Sequence, residues 1–201
     1  MNYLAHALLA APGEDEMLGS LVADFHPRGA IDPALPRGVR NGLVLHRAVD
    51  VYTDAHPEVR AARALFEPPF RRYAGILLDI WFDHLLARDF EAHSPVDLRT
   101  FSRDVQTLLR EREAELPPRM AAFARYMRRN GLPEAYREGA TIERVLQGVA
   151  GRVSRANPIA DALPELKARE QPLQAYFERF FPQLAGFARS ERARLDATGR
   201  A

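Results

Sequence analysis

The chain of 201 residues has no cysteine, one tryptophan and one lysine, Lys167. Without thiols there can be no disulfides and no thiolate metal sites, so any metal must be held by imidazole and oxygen. An excess of charge of either sign is also missing. The 28 Lys and Arg residues nearly cancel the 27 Asp and Glu to a net of +1, and no long basic run offers a track for nucleic acid. The longest apolar run, "GILLDIWFDHLLA" from Gly75 to Ala87, is too short and too ionisable to span a bilayer. The opening "MNYLAHALLA" lacks the positive charges and small-residue cleavage site of a signal peptide. These absences predict a soluble cytoplasmic protein with neither a membrane nor a nucleic acid as partner. A glycine-rich phosphate loop is absent too, which counts slightly against a nucleotide substrate.

Apolar residues recur at spacings of three and four almost throughout, and no alternating β pattern stands out. The expected fold is an all-α, single-domain helical bundle over 1–201, with 1–93 carrying the chemistry and 94–201 a helical elaboration. Helices are expected at Asn2–Ala10, Asp15–Phe25, Val39–Thr53, Pro57–Phe66, Arg71–Phe90, Leu98–Glu115, Pro118–Arg129, Ile142–Arg155 and Leu173–Leu195, the last bent at Pro182. The turn-rich "HPRGAIDPALPRG", His26 to Gly38, is expected to connect two of them. All six histidines lie at or before His93, so the chemistry is sought in the first half.

In "GLVLHRAVDVYTDAHPEVR", Gly42 to Arg60, a helical wheel puts His46, Asp50, Thr53 and Asp54 on one arc, with Arg47 at its edge. Leu45, Ala48, Val49 and Tyr52 form the opposite, core-facing stripe. The bland alternative is a wet face, but solvated faces in this chain are built from Arg and Glu, as in "LLREREAEL". Asp, His and Thr are poorer helix residues, so something other than helix stability accounts for them. His56 and Pro57 are expected to set the turn into the next helix.

The apolar segment from Ala74 carries a sharper anomaly. Asp79 and Asp83 stand one turn apart among Ile76, Leu77, Leu78, Ile80, Trp81, Phe82, Leu85 and Leu86, with His84 beside them. Buried like charges at that spacing require a protonated partner or a cation between them. Two further apolar segments each insert one such residue, His6 in "NYLAHALLA" and Asp24 in "MLGSLVADF". Convergence of these helices on one or two divalent cations with mixed nitrogen and oxygen ligands explains the set, and such ligands suit manganese, iron, magnesium or zinc. A metal so held can polarise a phosphoryl oxygen and supply a hydroxide nucleophile near neutral pH.

The words "MNYLAH", "VADF", "LHRAVDVYTDAHPEVR" and "RRYAGILLDIWFDHLLAR", followed by "RVSRANPIADAL" and "FERFFPQL", resemble in order and spacing those of the acyl carrier protein phosphodiesterases. The resemblance implies hydrolysis of the phosphodiester linking 4'-phosphopantetheine to a serine of holo-acyl carrier protein, with Mn2+ as the metal. It also implies a distant relation to the HD-domain metal phosphohydrolases. Carried onto this chain, it implies a metal set of Asp24, His46, Asp79 and Asp83, and catalytic roles for Asp24, Asp50, His84 and Arg47. His6, Asp54, Arg71 and Arg72 are the expected substrate-binding residues, the two arginines neutralising phosphoryl oxygens. The local order Asp83-His84 departs from the His-Asp dipeptide of the wider superfamily, and Ser20 stands where the family usually has Asn. Acyl carrier proteins are acidic helical bundles, and "RYMRRN" with Arg137, Arg144, Arg152 and Arg155 is the expected basic docking surface. Two rival functions use the same residues differently: an HD-like phosphohydrolase acting on a nucleotide, and a non-catalytic helical binding module whose His and Asp residues form a structural network.

Overall fold

The apolar segment beginning at Ala74 forms a buried helix against which parts of both halves of the protein pack. In the computed structural model, which describes residues 1–27 and 29–198, every regular element is helical. In chain order these are α1 (Tyr3–Ala10), α2 (Glu14–Val22), α3 (Arg37–Ala55), α4 (Pro57–Ala64), α5 (Ala74–Arg88), α6 (Leu98–Glu111), α7 (Pro118–Arg129), α8 (Gly139–Ala150), α9 (Leu163–Ala168) and α10 (Glu170–Thr198). Short 3-10 turns join several of them. The all-α expectation therefore holds among the described residues, and none of their helices is long and apolar enough to cross a membrane.

Helix α5 is apolar nearly all round and is correspondingly buried. Leu77, Leu78, Trp81, Phe82, Leu85 and Leu86 are all within a few per cent of full burial. Each such large side chain withdrawn from water contributes about 1.5–3 kcal/mol, which makes α5 the main apolar anchor. It packs against α1, α4, α8 and α10, while α3 lies between α2 and α10.

The α2–α3 pair is the most intimate in the fold, and two glycines make it so. A Cβ on Gly19 would stand 2.0 Å from the Val39 carbonyl oxygen, and one on Gly42 would stand 2.1 Å from that of Glu16. Neither distance is physically tolerable, so both backbones depend on the missing side chains to approach. Mid-helix glycine costs about 1 kcal/mol relative to alanine, and close backbone packing is the return.

Boundaries differ from expectation in instructive places. Helix α2 stops at Val22, and a 3-10 turn over Ala23–Phe25 carries Asp24 out of the apolar face expected for it, leaving its side chain 61% exposed. Helix α3 starts at Arg37, directly after the extended Pro36. The expected Arg71–Phe90 helix is trimmed by 3-10 turns at Arg71–Tyr73 and Phe90–Ala92. Helix α8 spans Gly139–Ala150 rather than Ile142–Arg155, and α9 has no counterpart in the sequence reading. Helix α10 runs continuously through Pro182. As expected, His56 and Pro57 start α4: the His56 Nδ1 accepts the Glu58 amide at 3.3 Å, with Pro57 as first helical residue.

Gly42→Ala should lower unfolding stability by about 2 kcal/mol, since two helix backbones must separate to admit one methyl. A urea titration showing an unchanged midpoint would refute the close-packing account.

Candidate active site

Four elements bring polar side chains together at one point. His6 of α1 and His46 of α3 stack face to face, their ring centroids 3.8 Å apart and their planes 16° from parallel. Asp50, one turn along α3 from His46, lies across both edges: its Oδ1 is 3.2 Å from His6 Nε2 and its Oδ2 is 3.2 Å from His46 Nε2. Asp24, on the turn after α2, approaches His46 Nε2 to 3.5 Å from the solvent side. The fourth contribution is Asp79 of α5, whose Oδ1 accepts from the Met1 amine at 3.0 Å; that amine also stands 3.8 Å from Asp50 Oδ1.

The second layer explains how these groups are aimed. The His46 Nδ1 lies 2.8 Å from the Ser20 carbonyl, which can only accept, so Nδ1 carries a proton and Nε2 faces the carboxylates. The Ser20 hydroxyl donates to the His6 carbonyl at 3.2 Å, tying α1 to the same point of α2. The glycine contact between α2 and α3 delivers that carbonyl, since Gly42 packs directly over the Ser20 amide.

The two stacked rings titrate in opposite directions. Burial pushes the His6 pKa down to about 4, helped by the charge on His46 and opposed by Asp50. Burial acts the same way on His46, but the carboxylates of Asp24 and Asp50 outweigh it and lift the pKa to about 9. The Asp50 carboxyl is raised by burial, yet the neighbouring His46 and His6 rings hold it well below the usual carboxylate range. Both His6 ring nitrogens are buried without an aligned hydrogen-bond partner, an expensive state for an imidazole.

The expected site residues thus separate into groups. His6, His46 and Asp50 offer ligand atoms that all lie within 4.8 Å of one another, with Asp24 and Asp79 at the edges. The expectation had put His6 with substrate binding; its position is central.

Asp83 and His84, by contrast, are turned to other work. The Asp83 oxygens accept the Leu4 amide at 2.8 Å and the Ala5 amide at 3.2 Å, capping the buried start of α1. Asn2, at the N-cap position, makes no side-chain cap bond, so a carboxylate from α5 takes its place. Burial raises the Asp83 pKa to about 7 against the pull of those two amides. The His84 Nδ1 donates to the Tyr136 carbonyl at 2.7 Å, and its ring rests against Trp81, so it ties α5 to the 3-10 turn over Glu134–Arg137.

Arg47 reaches the Gly29 carbonyl at 2.9 Å and the Pro27 carbonyl at 3.4 Å, holding the connection before α3. Asp54 pairs with Arg63 at 2.5 Å, and these two line a separate pocket with Arg71 and Arg72. Two participants escaped the sequence reading: Ser20, which acts through its main chain as well as its hydroxyl, and the Met1 amine. The glycines at 19 and 42, out of place in helices, were the available signal for the first.

Comparison with known proteins now decides the family. The family model described as acyl carrier protein phosphodiesterase matches residues 1–184. The chain belongs to the acyl carrier protein phosphodiesterase family. It is 36% identical over 185 residues to a protein of that name from Enterobacter sp. (strain 638), covering 92% of this chain and 95% of the relative. A Serratia proteamaculans (strain 568) protein of the same name is 37% identical over 188 residues, with the same coverage of each. A third, from Klebsiella pneumoniae subsp. pneumoniae, is 35% identical over 192 residues, covering 95% and 99%. No solved structure matches the chain.

Two predictions follow from the geometry. Asp83→Ala should cost about 2–4 kcal/mol, because two buried amides lose their acceptor; a loss below about 0.5 kcal/mol in urea unfolding would contradict the capping role. In chelator-treated protein the raised His46 pKa stabilises the fold fully below about pH 6.5, and that contribution is lost as pH rises towards about 9. The drop should amount to at most about 3 kcal/mol, and His46→Ala should flatten it; an identical pH profile in the variant would refute the pairing.

Proposed function

We propose that this protein hydrolyses the phosphodiester joining 4'-phosphopantetheine to the serine of holo-acyl carrier protein, using a divalent cation held by His6, His46 and Asp50. Family membership places it among the phosphoric diester hydrolases. The observation that carries the metal reading is the close set of three ligand atoms, in which both buried nitrogens of His6 lack an aligned hydrogen-bond partner. A cation held there would take up an imidazole lone pair of His6 that the protein leaves unmet. Two imidazoles with one to three carboxylates form a borderline set that fits Mn2+ and does not exclude Mg2+, Fe2+ or Zn2+. Such a cation supplies positive charge to polarise a phosphoryl oxygen and to make water a better nucleophile near neutral pH.

The chain's own residues have distinct tasks in this reading. His46 is fixed in its tautomer by the Ser20 carbonyl, so its Nε2 is presented inward as a ligand. Asp50 bridges the two rings and is held ionised by them. Asp24 is exposed at the rim beside His46, where a carboxylate can take a proton from water or return one to the departing serine oxygen. Asp79, anchored by the Met1 amine, closes the α5 side. The recruitment of His and Asp from separate helices supports the relation to HD-domain phosphohydrolases that the sequence resemblance implies.

Incubating the protein with holo-acyl carrier protein and Mn2+, and following the carrier by intact mass, tests the function. The expected result is loss of the phosphopantetheine mass, abolished by EDTA and restored by Mn2+. Asp50→Asn should lower kcat by at least about a hundredfold with helix content intact. An unchanged carrier mass for the wild-type protein, or full activity in EDTA, would overturn the proposal.

A further inference from the structure

Beside the cluster, one helical turn along both α3 and α5, lies a pocket of about 500 Å³ lined by Asp54, Arg60, Arg63, Ala64, Arg71, Arg72, Ala74 and Gly75. Its position follows from the helices. Asp54 is four residues beyond Asp50 and Gly75 four before Asp79, so each is displaced by about 6 Å along its axis.

Four guanidinium groups and one carboxylate surround the pocket, and only Arg63 is matched, by Asp54. The side chains of Arg60, Arg71 and Arg72 have no hydrogen-bond or ion-pair partner among the described residues and are exposed. This is unusual in a chain whose other arginines are largely engaged. Of the basic residues expected to form a docking surface in the second half, Arg128, Arg129 and Arg155 are likewise exposed with no side-chain hydrogen bond or ion pair, but the others are engaged. Arg125 pairs with Glu113 at 2.5 Å, Arg137 with Glu91 at 3.0 Å, and Arg144 bonds the Thr141 hydroxyl at 2.9 Å.

A second feature lies on the same two helices. Among the described residues only three large hydrophobic side chains are exposed, and two of them lie on helices that line this pocket: Val51, 70% exposed and three residues before Asp54 on α3, and Ile76, 37% exposed and next to Gly75 on α5. A small anionic ligand would have no use for them. A protein surface carrying both carboxylates and apolar side chains would cover both features at once.

We propose that the Arg60–Arg63–Arg71–Arg72 pocket, with Val51 and Ile76, is the docking surface for the acidic face of the protein that carries the scissile phosphodiester. The inference rests on the functional reading above and specifies where its substrate protein sits. Free cationic groups one turn from a carboxylate-rich centre also offset the repulsion that centre exerts on an acidic partner. Arginine suits the task because its planar fork pairs with carboxylates in two-point contacts.

The test uses fluorescently labelled apo-acyl carrier protein, which lacks the scissile bond, so that docking is read without chemistry, together with steady-state hydrolysis of the holo form. In Arg71→Glu/Arg72→Glu, on an exposed turn where reversal should leave helix content intact, Kd for the apo form and KM for the holo form should rise at least tenfold, with kcat within about twofold. Wild-type binding should weaken with added salt, and that salt dependence should diminish in the variant. Hydrolysis by the wild-type protein with Kd unmoved by the reversal would sink the docking proposal alone. Loss of kcat without a change in Kd would also overturn it, by assigning the arginines to the phosphoryl group. A larger Kd effect from Arg128→Glu/Arg129→Glu would move docking to α7 and refute it as well. Binding lost on reversal, with no hydrolysis by the wild-type protein, would sustain the docking surface and sink the hydrolase reading.

Discussion

The close approach of α2 and α3 through Gly19 and Gly42 is the constraint on which the site depends. It brings the Ser20 carbonyl within 2.8 Å of His46 Nδ1, and this single acceptor sets the ring's tautomer and direction. The same residue reaches α1 through its hydroxyl, so both stacked histidines are referenced to one point of one helix. Widening the α2–α3 gap would therefore disturb more than packing, because it would release the ring that the carboxylates must meet. Preorganisation of this kind is bought at the helix level, where two mid-helix glycines lower intrinsic stability.

Within that frame, environment divides chemically similar residues into different roles. His6 and His46 touch each other, yet burial dominates for His6 while two carboxylates dominate for His46. Asp79 and Asp83 stand one turn apart on α5, yet Asp79 turns to the Met1 amine and the cluster while Asp83 caps α1. The capping carboxylate matters to the site indirectly. It fixes the start of the helix that carries His6, so a carboxylate engaged in structure sets the position of a member of the His6–His46–Asp50 cluster.

Much of this was legible in the sequence, for identifiable reasons. The all-α fold followed from periodicity, and the arc of His46 and Asp50 stood out because neither residue favours helix interiors. The burial of α5 followed from its apolar circumference. Periodicity alone, however, could not tell which buried polar groups face one another and which are consumed by main-chain partners. Asp83 and His84 carried the same sequence signal as Asp79, but their partners, the amides of Leu4 and Ala5 and the carbonyl of Tyr136, are distant in sequence and invisible to a helical wheel. The helix end at Asp24 differed for a local reason: the 3-10 turn after α2 rotates its side chain out of the expected apolar face. The place of His6 against His46 was not visible in periodicity, where a lone histidine in an apolar helix is ordinarily a structural residue. Its stacking on His46 and its unaligned nitrogens are the structural features that set it in the cluster.

The central claim is that α1 and α3 together hold a divalent cation, and direct binding tests it without reference to any substrate. Mn2+ titrated into the protein can be followed by electron paramagnetic resonance, which reports the free ion, with circular dichroism confirming that the helices are retained. The account predicts stoichiometric binding by the wild-type protein and its loss in His46→Ala, with a matching loss in His6→Ala. Undiminished Mn2+ binding in both folded variants would contradict it.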